Sequence, residues 1–132
     1  MEKFIGTKIV HAEPMEKEGK AGYKVVYADG YESWSPVDAF EEAYRQCDAL
    51  PFGLAIEAVK KGKKIARKGW NGKNQYVELA SNISYKADSE IVNCEHDAIG
   101  NKALAFVGTS GVQMGWLASQ ADMLADDWYI VE

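Results

Sequence analysis

The chain has 132 residues, 47% of them hydrophobic and 27% charged, with a net charge of −5. That is enough for one ordinary domain or two very small ones with a real core, and it excludes a disordered chain. No apolar run reaches the eighteen residues of a helical membrane span, and the acidic balance argues against general nucleic-acid binding.

Residues 8–12 are expected to form a short strand. Residues 23–27 make a better one, rich in β-branched and aromatic side chains. Asp29-Gly30 then predicts a hairpin turn, because both residue types tolerate positive φ, with residues 31–34 as the returning strand. Ser35 is placed to cap a helix, with Pro36 at its first position and Asp38 three residues on. Val37, Phe40, Tyr44 and Cys47 recur at helical spacing and predict one apolar face. Pro51 disfavours helical geometry at Leu50, so residues 46–51 read as a linker.

A second helix follows, with Phe52, Ala55, Ile56 and Val59 as its buried stripe. Lys60, Lys61, Lys63 and Lys64 crowd its C-terminal end, where cations suit the dipole, and Gly62 fits the position after the cap. Residues 64–68 and 75–79 read as strands around a turn at 70–74. Residues 81–102 read as a long polar excursion with one short strand at 90–93. Residues 103–108 and 112–117 predict a hairpin across Thr109-Ser110-Gly111. Ser119 and Asp122 have capping-box spacing for one short helical turn through residue 124, and residues 128–131 close as a strand.

Several chemistries find too few parts. Cys47 and Cys94 form no CxxC pair and read as buried or idle thiols, in keeping with a cytoplasmic location. Residues 1–7 have neither the apolar stretch nor the cleavage site of a signal peptide. Cys94-Glu95-His96-Asp97 offers nucleophile, base and metal-ligand types. It has no positioning device and no second ligand pair, so a solvated polar loop explains it better. Gly108-Thr109-Ser110-Gly111 is not followed by the Lys-Ser or Lys-Thr of a phosphate loop. No catalytic residue, metal site or cofactor is expected.

One short segment stands apart. Residues 60–73 carry seven basic and no acidic side chains, whereas residues 1–59 have a net charge of −5 and residues 74–132 one of −7. Arg67, Lys68 and Lys73 bracket Trp70 and Asn71. Arg and Lys can meet phosphate oxygens, an indole can stack on a purine, and Asn can read a base edge or a ribose hydroxyl. The same residues also fit a solvated helix end followed by a core tryptophan at a turn. Spacing alone leaves both open.

Three runs resemble a known family. They are Pro51-Phe52-Gly53-Leu54-Ala55-Ile56-Glu57-Ala58, Gly62-Lys63-Lys64-Ile65-Ala66-Arg67-Lys68-Gly69-Trp70-Asn71-Gly72-Lys73, and the stretch from Trp116-Leu117-Ala118-Ser119 through Asp122 to Asp126-Asp127-Trp128. Together they resemble the phage and prophage anti-Thoeris sponge family over about residues 51–132. Residues 1–46 resemble a second small phage domain of no assigned activity. The resemblance implies an α+β fold, a helix packed on a bent antiparallel sheet, preceded here by a small β-hairpin-plus-helix unit. It implies a homo-oligomer, dimer or tetramer, that holds a cyclic ADP-ribose-like or cyclic oligonucleotide signal between protomers and releases it intact. Such a protein blocks host immunity without being an enzyme. Carried onto this sequence, Trp70 and Asn71 lie in the opening motif and Trp116, Ser119 and Asp122 in the closing one; with Arg67 and Lys68 of the basic island they are the expected ligand-binding residues. The alternative is a phage structural or interaction module using Tyr31, Trp34 and Trp116 as exposed contacts.

Overall fold

The structure is a computed structural model that describes residues 1–70, 74–80, 82–95 and 102–132. Two compact units emerge, Met1–Gln46 and Cys47–Glu132.

In the first unit, β1 (His11–Pro14) pairs antiparallel with β2 (Gly22–Val26) in a register running from His11↔Val26 to Pro14↔Tyr23. Val26 is the last residue of β2. Residues 8–10 of the expected first strand therefore have no ladder opposite them, and the strand starts at His11. The Asp29-Gly30 turn forms as expected, with Gly30 N–H donating to the Tyr27 carbonyl at 2.9 Å and Gly30 at φ +88°. It leads into β3 (Glu32–Pro36), which pairs with β2 from Val26↔Glu32 to Gly22↔Pro36. Gly22 is required by close approach: a Cβ there would lie 2.4 Å from Trp34 Cζ2.

The first helix, α1 (Val37–Ala43), begins one residue later than its capping pattern suggests. Pro36 is the N-cap, and the Ser35 hydroxyl, still in β3, donates to the Pro36 carbonyl at 3.3 Å and caps nothing. Strand pairing out to Pro36 takes the residue that local propensity assigns to the helix. Phe40 stacks on Tyr23 at 4.3 Å and on Tyr44 at 4.9 Å. Tyr44 is already extended, so the expected helical face stops short of Cys47, whose thiol is exposed rather than buried.

In the second unit, Leu50 and Trp128 exchange backbone hydrogen bonds of 2.7 and 3.1 Å. These anchor the chain as it enters α2 (Phe52–Lys60). Ala55, Ala58 and Val59 are buried, and Gly62 at φ +87° ends the helix by donating to the Val59 carbonyl at 2.9 Å. The strands β4 (Lys64–Arg67), β5 (Tyr76–Leu79), β8 (Leu104–Gly108), β9 (Gly111–Met114) and β10 (Trp128–Val131) form one antiparallel sheet in the order β10-β4-β5-β8-β9. Directly paired residues share a face. Ile65, Val77 and Trp128 therefore point the same way and form the core with Leu50, Ala55, Ala58 and Val59.

The polar excursion is a second hairpin. β6 (Asn82–Ala87) pairs with β7 (Glu90–Glu95) from Asn82↔Glu95 to Ala87↔Glu90. Asp88 and Ser89 close it at φ +49° and +67°, the double positive φ of a tight hairpin turn. The expected strand at 90–93 is thus half of a longer pair. The short helix α3 (Gln120–Met123) has the full reciprocal capping box, with Asp122 N–H donating to Ser119 Oγ at 3.1 Å and Ser119 N–H to Asp122 Oδ2 at 3.2 Å. The α+β class, with a helix on an antiparallel sheet and a separate hairpin-bearing N-terminal unit, is the observed one. No described helix is long and apolar enough to cross a membrane.

Candidate functional site

The opening and closing motifs meet at one end of the helix-covered sheet face. The register pairs Trp128 with Arg67, which puts the Arg67 side chain on the core side, at the last step of β4. Beyond it the chain turns sharply, with Trp70 N–H reaching the Arg67 carbonyl at 3.3 Å.

Two carboxylates from the closing motif grip this turn. Asp127 Oδ1 accepts from Arg67 Nε at 2.9 Å, and its Oδ2 accepts from Gly69 N–H at 2.9 Å. Asp122 Oδ1 accepts from Arg67 Nη1 at 2.8 Å and from the Trp70 indole N–H at 3.2 Å. The Asp122 backbone carbonyl takes the Trp128 indole N–H at 2.8 Å. Glycine at 69 follows from this approach. A Cβ there would lie 3.0 Å from Asp127 Oδ2 and 3.3 Å from Arg67 Nη2.

The side chains in this network are largely shielded, Arg67 being 18% exposed, Asp122 14% and Asp127 31%. Their charge states are correspondingly biased. Burial pushes the Asp122 carboxyl up, but the hydrogen bonds from Arg67, Trp70 and Ser119 outweigh it and hold the group below the usual aspartate range. Arg67 does the same for Asp127, against a smaller effect of burial. The Arg67 guanidinium is raised in turn, chiefly by Asp127 and then by Asp122.

Trp70 packs edge-on against Trp128 at 5.3 Å, Phe106 at 5.4 Å and Trp116 at 6.1 Å. Trp116 gets there because Gly115, at φ +73°, turns the chain after β9, and both Gly115 and Trp116 donate to the Leu104 carbonyl, at 2.9 and 3.0 Å. Trp116 then stacks over Phe106 at 6.4 Å. It is half-buried, as is Trp34, whose indole N–H donates to the Met15 carbonyl at 2.8 Å. Of the three aromatics expected as exposed contacts, only Tyr31 is strongly exposed, at 65%.

Arg67, Trp70, Trp116, Ser119 and Asp122 therefore come together from distant parts of the sequence. Lys68 does not join them. Its ammonium lies 3.9 Å from Asp48 and both groups are exposed. Asn71 lies outside the described residues, as does His96 of the polar cluster. An open depression of about 540 Å³ adjoins the network, lined by Arg67, Lys68, Trp70, Asn74, Gln75 and Tyr129 together with Asp48. Its floor offers an indole and a phenol ring beside amide and ammonium groups, the mixed lining that suits a polar aromatic ligand. Asp127 is the functional-looking residue that the sequence reading passed over. Its signal was its place beside Trp128 in the closing motif.

Comparison with known proteins covers the same unit. Residues 50–131 match the Thoeris anti-defense 2-like domain. Over 88 residues, 62% of this chain and 94% of the relative, the sequence is 36% identical to Thoeris anti-defense 2 of Bacillus phage SP01. With the match spanning the sheet, α2, α3 and both halves of the Arg67–Asp122–Asp127 network, the chain belongs to the Thoeris anti-defense 2-like family.

Proposed function

We propose that this is a phage or prophage anti-Thoeris protein that binds a cyclic or ADP-ribose-type signalling nucleotide and withholds it from its effector without breaking a bond. The observation that carries the reading is the match of the whole second unit to a family named for Thoeris anti-defense. Its opening motif lines the depression through Arg67, Lys68 and Trp70, and its closing motif braces that segment through Asp122 and Asp127. Lys68 is the exposed cation there for a phosphate, and Trp70 and Tyr129 offer ring surface for a base. Asn71 and Trp116 complete the ligand-facing set in this reading, with Arg67, Ser119 and Asp122 behind them.

Homo-oligomeric assembly belongs to the same proposal. Val112 (61%), Leu117 (89%) and Leu124 (80%) are strongly exposed on β9 and around α3, apolar surface of the kind a partner protomer covers. The first unit is read as a separate phage-type module carried beside the binding unit, as the resemblance of its residues implies.

Native mass spectrometry of the protein with a panel of immune-signalling nucleotides tests the proposal. The expected result is an oligomer retaining one nucleotide species, recovered intact after denaturation, with retention lost in Trp70→Ala. Hydrolysed nucleotide, or no retention across the panel, sinks it.

A further inference from the structure

We infer that Arg67, although it is the most basic group of the opening motif, is a positioning residue that orients Trp70 rather than a direct ligand for phosphate. The inference rests on the reading that Trp70 faces the nucleotide. Arg67 spends its Nε and Nη1 donors on Asp127 and Asp122, at 2.9 and 2.8 Å. The same two carboxylates hold the segment that Arg67 leads into. Asp127 also takes the Gly69 N–H, and Asp122 also takes the Trp70 indole N–H. The guanidinium thus fixes the two acceptors whose remaining capacity fixes the turn and the ring. A planar donor fork meets the two carboxylates in a set geometry, which an ammonium on a flexible stem does not fix.

The charge balance points the same way. One cation sits between two carboxylates, so an approaching phosphate meets net negative charge at Arg67 and, at Lys68, an exposed ammonium held only loosely, 3.9 Å from an equally exposed Asp48. Freeing Arg67 for an anion would strand Asp122 and Asp127 with less than their full set of donors in a shielded place.

The two roles predict opposite signs for one substitution. Asp127→Asn removes a negative charge that competes for Arg67. If Arg67 binds phosphate directly, this variant holds an anionic nucleotide as well as or better than the wild type. If Arg67 positions Trp70, it holds the nucleotide on the order of tenfold more weakly, the factor that about 1.4 kcal/mol produces. Titration calorimetry with glycocyclic ADP-ribose reads this. The second measurement needs no ligand. The four tryptophans give separate indole N–H resonances in a nitrogen-15 spectrum, and Trp70→Phe assigns the one in question. Asp127→Asn and Arg67→Lys should both move that resonance in the free protein. Arg67→Lys keeps the charge but loses the fixed fork that sets the two carboxylates. Tighter binding by Asp127→Asn, or an unmoved Trp70 resonance in both variants, overturns the inference. Failure of the wild type to bind any nucleotide overturns the functional reading instead, and the resonance still decides what Arg67 does to Trp70.

Discussion

Trp128 has no exposed surface and still satisfies its one donor on the Asp122 carbonyl. It is the side chain on which α2, β4 and the aromatic cluster converge, with Phe52 at 5.3 Å and Trp70 at the same distance. Trp128→Ala is expected to destabilise the protein by about 3–5 kcal/mol, measured by urea unfolding, because it opens a cavity that a packed core cannot close. Gly69→Ala should cost stability too, and weaken nucleotide retention, since Asp127 must retreat from the added methyl group. Asp122 and Asp127 give the molecule an acid limit. Both are held below the ordinary aspartate value of about 3.9, so the unfolded chain binds more protons than the native one in that range. The stability they contribute is complete above that value and is lost as pH falls through their native values. Thermal unfolding midpoints followed downward from pH 5 should therefore fall less steeply in Asp122→Asn and Asp127→Asn than in the wild type. Much of this was legible residue by residue: Arg67, Trp70, Trp116 and Asp122 were singled out by type and motif. That they bond to one another was not, because no pattern in the chain measures a contact across some fifty residues.

Among the elements, α3 is the one whose local signal was complete. Ser119 and Asp122 stand three residues apart, and each caps the other. Ser119→Ala should cost about 1 kcal/mol in a thermal or urea melt, more through loss of the helix entry than through any exposed contact. The β6–β7 hairpin is the opposite case. Its turn is Asp88-Ser89, with no glycine to advertise positive φ, and its strands are polar enough to pass for a loop. Ser89 carries a side chain at φ +67°, where glycine has no steric penalty, so Ser89→Gly is expected to raise the thermal midpoint, by up to about 1 kcal/mol of stability. α1 lies between these cases. Its face was right through Phe40, Tyr44 being already extended although it stacks on that ring, and its start was one residue early because Ser35 is a good cap in isolation but is claimed by the ladder with Tyr23.

At the scale of the molecule, the division at Gln46 and Cys47 follows from hydrogen bonding. The Cys47 carbonyl accepts from Ile130 N–H at 2.9 Å, and Leu50 is laced to Trp128, so the residues read as linker, Gln46 apart, are the first of the second unit. A fragment of residues 47–132 should accordingly unfold in one cooperative transition and keep nucleotide retention, whereas a fragment starting at residue 52 should lose both. By itself, the sequence determined the two helix–strand runs, the capping of α3 and the basic island around Trp70, because propensity, periodicity and charge act over a few residues; the class of the fold came with the family resemblance. Only the tertiary structure decided what the island is for. It placed Arg67 between Asp122 and Asp127 and left Lys68 exposed, because Arg67 ends β4 on the core side, paired with Trp128, whereas Lys68 lies past the strand in the turn. Cross-strand pairing thus turns neighbours in the basic run into one half-buried clasp and one exposed cation.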